Sequence, residues 1–87
     1  TKHLVVTFLE VPGSATIKLG ITISKKISKL ANKRNYFKRS VREAFRKVRL
    51  SLSKVGELTV NARQGSAELS SLEVEIELLK CLKRLSL

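Results

Sequence analysis

KLGITISKKISKLANKRNYFKRSVREAFRKVRL, residues Lys18 to Leu50, decides the reading of this 87-residue chain. It reads as a strand, a basic loop and a basic amphipathic helix. Between Lys18 and Lys54 there are thirteen Lys or Arg and one acid, Glu43. The whole chain carries a formal charge of +11, so this segment accounts for all of the excess. Like charges packed so densely repel and add nothing to folding. They make sense if a polyanion lies on them, and nucleic acid is the polyanion that fits.

Within the segment, Ile17, Leu19, Ile21 and Ile23 alternate with Lys18, Gly20, Thr22 and Ser24, the period of a half-buried strand. Lys25 to Lys33 is a polar connection, with Asn32 placed to cap a helix running to about Ser51. That helix carries Phe37, Val41, Ala44, Phe45, Val48 and Leu52 on one stripe. Lys38, Arg39, Arg42, Arg46 and Arg49 fall in an adjoining arc of about 100°. One flank is oily and the other cationic.

Working outward, His3 to Val11 (HLVVTFLEV) reads as a strand and Val11 to Ser14 (VPGS) as a turn, so a hairpin with Ile17–Ser24 is expected. After a break at Val55-Gly56, Leu58, Val60 and Ala62 alternate in a third strand. Gln64-Gly65-Ser66 turns the chain. Ser70 and Glu73 form a capping box, with Leu69 as a hydrophobic staple, and open a last helix over about 71–85. Leu72, Ile76, Leu79 and Leu82 are expected to face inward. The length supports one domain, 1–87, of α+β class.

The two helices treat their dipoles oppositely. The last opens on Glu73, Glu75 and Glu77 and closes on Lys80, Lys83 and Arg84, the stabilising order. The first opens on Lys33, Arg34, Lys38 and Arg39, where each cation costs a few tenths to ~1 kcal/mol. A helix that binds anions gains from that arrangement, because free N–H groups and basic side chains converge on a phosphate.

Catalytic sets are missing from the sequence. There is no Asp; the seven acids are all Glu, and Glu68, Glu73, Glu75 and Glu77 are better explained by capping and solubility. No Ser/His/Asp set, Cys/His pair, Mg²⁺ carboxylate cluster or glycine-rich phosphate loop is present. Cys81 is alone and reads as a small core residue; His3 is alone at an expected frayed start. With four aromatic residues, the chain lacks a broad stacking platform of the kind that reads single strands on a sheet. No apolar run approaches a membrane span and no signal peptide is visible, so a cytoplasmic location is expected.

The order strand, Ser24-Lys25-Lys26, basic loop, Arg34-Asn35-x-x-Lys38-Arg39-x-x-Arg42-Glu43-x-Phe45-Arg46 helix, strand, Ala62-Arg63-x-Gly65, helix resembles the protein subunit of bacterial ribonuclease P. The resemblance covers essentially the whole chain, and the helix motif fixes eight positions. It implies a small two-layer α+β sandwich with the basic helix in a left-handed βαβ crossover. It implies binding to a catalytic RNA, ribonuclease P RNA, and to the 5′ leader of precursor tRNA in a cleft between sheet and basic helix. The RNA would perform Mg²⁺-dependent removal of the leader, with the protein alone inactive and holding no cofactor. Ser24, Lys25, Lys26, Arg34, Asn35, Lys38, Arg39 and Arg42 match the family motif. The basic connection adds Lys29 and Lys33 as RNA-binding candidates, and the helix adds Tyr36 and Arg46.

Three departures stand out. Tyr36 replaces the second Arg of the family's Arg-Asn-Arg; the loop from Lys26 to Arg34 carries about one extra residue; and the family's N-terminal helix has no counterpart ahead of Thr1. A ribosomal or other structural RNA-binding protein would show the same charge and layout, without a role at tRNA ends. A DNA reader is disfavoured because strands flank the helix and no helix-turn-helix partner exists. A membrane-surface binder is disfavoured because the apolar stripe is needed for so small a core.

Overall fold

The structure, a computed structural model, describes residues 3–85. Its elements are β1 (Leu4–Glu10), β2 (Ile17–Thr22), α1 (Ala31–Val48), β3 (Gly56–Ala62) and α2 (Ser71–Arg84), with short 3₁₀ turns at Arg49–Ser51 and Ser66–Glu68. The sheet is mixed, in the order β1-β3-β2. β3 pairs antiparallel with β1 and parallel with β2.

The expected hairpin between the first two strands does not form. The VPGS turn exists, with Ser14 N–H donating to Val11 O at 3.1 Å, but β3 lies between the strands it joins. Alternation fixes which face a residue takes and says nothing of which strand lies beside it. β2 and β3 run parallel, so their link must cross over, and α1 is that link.

Register puts the apolar positions in cross-sheet rows. Phe8, Leu58 and Leu19 form one row and Val6, Val60 and Ile21 the next. Both helices pack on this face, α1 toward β2 and α2 toward β1. Leu4, Leu58 and Val60 join Phe37, Val41 and Phe45 of α1 and Val74 and Leu78 of α2 in one core. The opposite face, with Val5, Thr7 and Leu9 of β1 and Lys18, Gly20 and Thr22 of β2, is exposed.

Gly56 marks a close approach. A Cβ there would collide with the Leu9 carbonyl oxygen and come within 2.8 Å of the Val11 nitrogen. The sequence break at Val55-Gly56 is thus the point where β3 slides under the end of β1, pinned by Val11 N–H donating to Val55 O at 3.1 Å.

The inward stripe of α2 is not the expected one. Val74, Leu78, Cys81 and Leu82 are buried, while Leu72, Ile76 and Leu79 are exposed. At 100° per residue the two sets lie on nearly opposite sides of the helix. Leu82 is the one expected position that is buried. Nor is the start of the chain frayed at His3. Its Nδ1 lies 2.6 Å from Glu77 Oε2, its backbone N–H donates to Glu77 Oε1 at 3.3 Å, and its carbonyl accepts from Arg63 N–H at 2.8 Å. No helix among the described residues is long and apolar enough to cross a membrane.

Candidate nucleic-acid interface

The cationic flank begins with the way α1 is buried. Phe37, Val41, Ala44 and Phe45 are in the core, with Val48 and Leu52 packed against it. Ser40 shares the buried stripe and satisfies its hydroxyl by donating to Tyr36 O at 2.9 Å, a contact invisible to an apolar pattern. Turning away from that stripe leaves Arg39, Arg42, Arg46 and Arg49 exposed and Lys38 half-buried. Among the described residues, no ion pair involves Lys38, Arg39, Arg42 or Arg46.

The start of α1 lacks anionic compensation. No acid occupies its first turn, and the N-cap position is Leu30, with no side-chain cap. Asn32, expected as the cap, sits inside the helix, where its Oδ1 accepts from Lys33 N–H at 3.0 Å. α2 opens differently. Ser70 Oγ accepts from Glu73 N–H at 3.2 Å and Glu73 Oε1 accepts from Ser70 N–H at 3.0 Å, the capping box read from sequence. The Ser70 backbone bond, then the Ser70 side-chain bond, hold the Glu73 carboxyl below the usual Glu range.

Three candidates have partners within the chain. Arg34 Nη1 donates to Ser28 O at 2.8 Å and so clasps the basic loop to the helix. Lys33 Nζ donates to both carboxylate oxygens of Glu68, each at 3.0 Å. The Arg39 guanidinium lies over the Tyr36 ring, 5.5 Å from its centroid. Ser24 lies two residues beyond β2 and turns the chain, its carbonyl accepting from Ile27 and Ser28 N–H. Ser24, Lys25, Lys26 and Lys29 are exposed on this turn, and Asn35 is exposed on the helix.

A groove of about 970 Å³ runs beside the cationic flank. One wall is α1, with Lys33, Asn35, Tyr36, Lys38, Arg39 and Arg42; the other is the Ala67–Ser70 turn and Glu73. The groove gathers six of the sequence candidates and leaves out Ser24, Lys25, Lys26, Lys29, Arg34 and Arg46. Its far wall is the Ala67–Ser70 turn and the start of α2 rather than the sheet. The helix-facing side of the sheet is filled with core side chains. Glu68 was missed as part of the site because it is 35 residues from Lys33 in sequence. Among the described residues, no group of three or more His, Cys, Asp or Glu is placed to hold a metal ion.

The family model described as Ribonuclease P matches residues 1–86. The ribonuclease P protein component of Chlamydia trachomatis serovar L2 is 47% identical over 77 residues, covering 86% of this chain and 62% of the relative. That of Chlamydia caviae is 72% identical over 39 residues, 45% of this chain and 27% of the relative. The RNase P protein of Thermotoga maritima, solved in complex with 1-(4-fluorophenyl)-2-thiourea, superposes with a TM-score of 0.84 at 32% identity, covering 97% of this chain and 80% of that one. The chain spans less than two thirds of the length of these curated relatives. A basic helix crossing between parallel strands, the motif it carries, and a family match over nearly the full length together place the chain in the ribonuclease P protein family.

Proposed function

We propose that this chain acts as the protein subunit of ribonuclease P, binding the catalytic RNA and the 5′ leader of precursor tRNA so that the RNA removes the leader. The observation that carries this is the face of α1: three exposed arginines and a half-buried lysine, continued by Arg49 just past the helix, with no acid in the helix's first turn. A solvated helix face normally mixes charge signs. Among the described residues this one leaves Lys38, Arg39, Arg42 and Arg46 without ion pairs, available to phosphates.

In this reading Mg²⁺ would be held by the RNA and would supply the hydrolytic chemistry. The protein's residues bind and orient. Arg34, by gripping Ser28 O, fixes the Ser24–Lys29 turn against α1, so that loop and helix present one continuous basic surface. Lys25, Lys26 and Lys29 then add phosphate contacts ahead of the helix, where its free N–H groups point. The gain is in affinity for RNA and substrate. The test is reconstitution: ribonuclease P RNA, precursor tRNA and Mg²⁺, with and without the protein. The expected result is 5′ maturation that needs less RNA or substrate when protein is present, and none with protein alone. Binding to RNA with no effect on leader removal would favour a structural RNA-binding role instead.

A further inference from the structure

The groove between α1 and the Ala67–Ser70 turn contains more than a phosphate track requires. It holds an aromatic ring, Tyr36, 39% exposed, with the Arg39 guanidinium over one face, 5.5 Å from the ring centroid. Cationic side chains border the ring on its own helix, and carboxylates, Glu68 and Glu73, stand on the opposite wall. Carboxylates do not attract a polyanion's backbone. Ionised, they only accept hydrogen bonds, and a nucleotide donates from its base edge and its ribose hydroxyls.

Resting on the RNA-binding reading above, we propose that this groove is a site for a single unpaired guanine nucleotide of a bound RNA. The base stacks on Tyr36, its phosphates lie toward Lys38 and Arg42, and its edge faces the Glu68 and Glu73 wall. Stacking on an aromatic ring needs a base free of its helix, so the site selects unpaired RNA. Guanine presents adjacent N1–H and N2–H donors, which suit a carboxylate. Uracil presents one N–H between two carbonyls, which an acceptor-only wall repels. Glu73 spends one oxygen on Ser70 N–H and keeps the other. Glu68 holds Lys33, but the pair is exposed, 40% for Lys33 and 69% for Glu68, and such pairs contribute little. On RNA arrival Lys33 exchanges Glu68 for a phosphate, and Glu68 becomes free to accept from the base.

Tyr36 is the only tyrosine in the chain, so fluorotyrosine incorporation gives one ¹⁹F reporter at the site. The full chain is titrated with the heptanucleotides UUUGUUU, UUUUUUU and a version abasic at the central position, with binding followed in parallel by anisotropy. UUUGUUU is expected to bind most tightly and to move the ¹⁹F signal upfield in step with binding. The abasic oligonucleotide should bind by charge and leave the signal nearly in place. Tyr36→Leu should lose about five-fold or more in affinity for UUUGUUU, with Tyr36→Phe close to wild type. Equal ¹⁹F responses to the guanine and abasic oligonucleotides, with binding intact, would overturn the site while leaving RNA binding standing. Equal affinity for UUUGUUU and UUUUUUU would overturn the guanine assignment. Absence of binding by all three at low salt would overturn the RNA-binding reading and the site with it.

Discussion

Replacing Lys38 and Arg42 together by Ala separates the two duties of α1. The residues lie one turn apart on the same flank, and neither belongs to the core. Arg42 is exposed and Lys38 half-buried, and among the described residues neither makes an ion pair. Folding should therefore change little. Surface charges away from the core contribute within ~0.5 kcal/mol, and relief of repulsion offsets part of any loss of packing along the Lys38 stem. We predict a melting temperature within a few degrees of the parent.

RNA binding should respond differently. Each lost charge-assisted contact removes roughly 0.5–1.5 kcal/mol, so the pair is worth about 1–3 kcal/mol, or about five- to 150-fold in dissociation constant. The salt dependence supplies a second reading. Each phosphate contact contributes about 0.7–0.9 to the slope of log K against log salt, so the double variant should lose about 1.5 from that slope. Val41→Ala is the converse control: Val41 is fully buried, and truncation should cost roughly 1–3 kcal/mol of stability while sparing the basic face. Thermal unfolding and RNA affinity at several salt concentrations are measured on all three proteins. A double variant that unfolds early yet binds with unchanged affinity and slope would falsify the assignment of this flank to RNA.

Gly56→Ala should destabilise the fold by roughly 3 kcal/mol or more, because the added Cβ meets backbone atoms of β1 that have no room to yield; a thermal midpoint near that of the parent would show that the β1–β3 approach is looser than described. Ser66 is fully buried and its Oγ has no hydrogen-bond partner among the described residues, so Ser66→Ala should be neutral or stabilise by up to ~1 kcal/mol in chemical denaturation. Glu73 has a lowered pKa in the folded state, so the unfolded state binds the proton first as pH falls. Its contribution is present above the ordinary Glu range and is lost as pH drops through that range to the lowered folded value. Ser70→Ala should cost ~1 kcal/mol at neutral pH and flatten that part of the acid profile, and a profile as steep as the parent's would place the acid sensitivity elsewhere.

Much of the fold was legible because most of its elements carry a single signal. α1 has one apolar stripe, so its buried face followed from period alone. α2 has apolar residues on two opposite sides, and the period cannot choose between Leu72-Ile76-Leu79 and Val74-Leu78-Cys81. The sheet chooses, by lying against the second set. Strand pairing failed for a similar reason. A β1–β2 hairpin and the observed β1-β3-β2 order satisfy the same alternation, and only packing of the α1 crossover separates them. Half of the candidate site was equally plain, since the cationic flank is contiguous along one helix. The other wall was not, because Glu68 and Glu73 come from a turn and a helix brought alongside by the tertiary fold.

The two helix starts show where the fold has left its electrostatics incomplete. α2 closes its own first turn with a reciprocal Ser70–Glu73 box and so has no need of an outside anion. α1 has a leucine at the N-cap position, no acid in the first turn, and Lys33 and Arg34 half-buried within that turn. Its cations could have been neutralised across the helix–helix contact, as Lys47 is by Glu75 at 3.0 Å. Near the groove, among the described residues, Lys33 alone is neutralised, by Glu68 of the 3₁₀ turn, and through an exposed pair that water and salt already weaken. The arginines further along have no ion-pair partner among the described residues. Caps and mixed-sign surfaces are inexpensive to build, and this same chain builds both on α2. Their absence from α1 is explained if the missing negative charge arrives with the phosphates of an RNA.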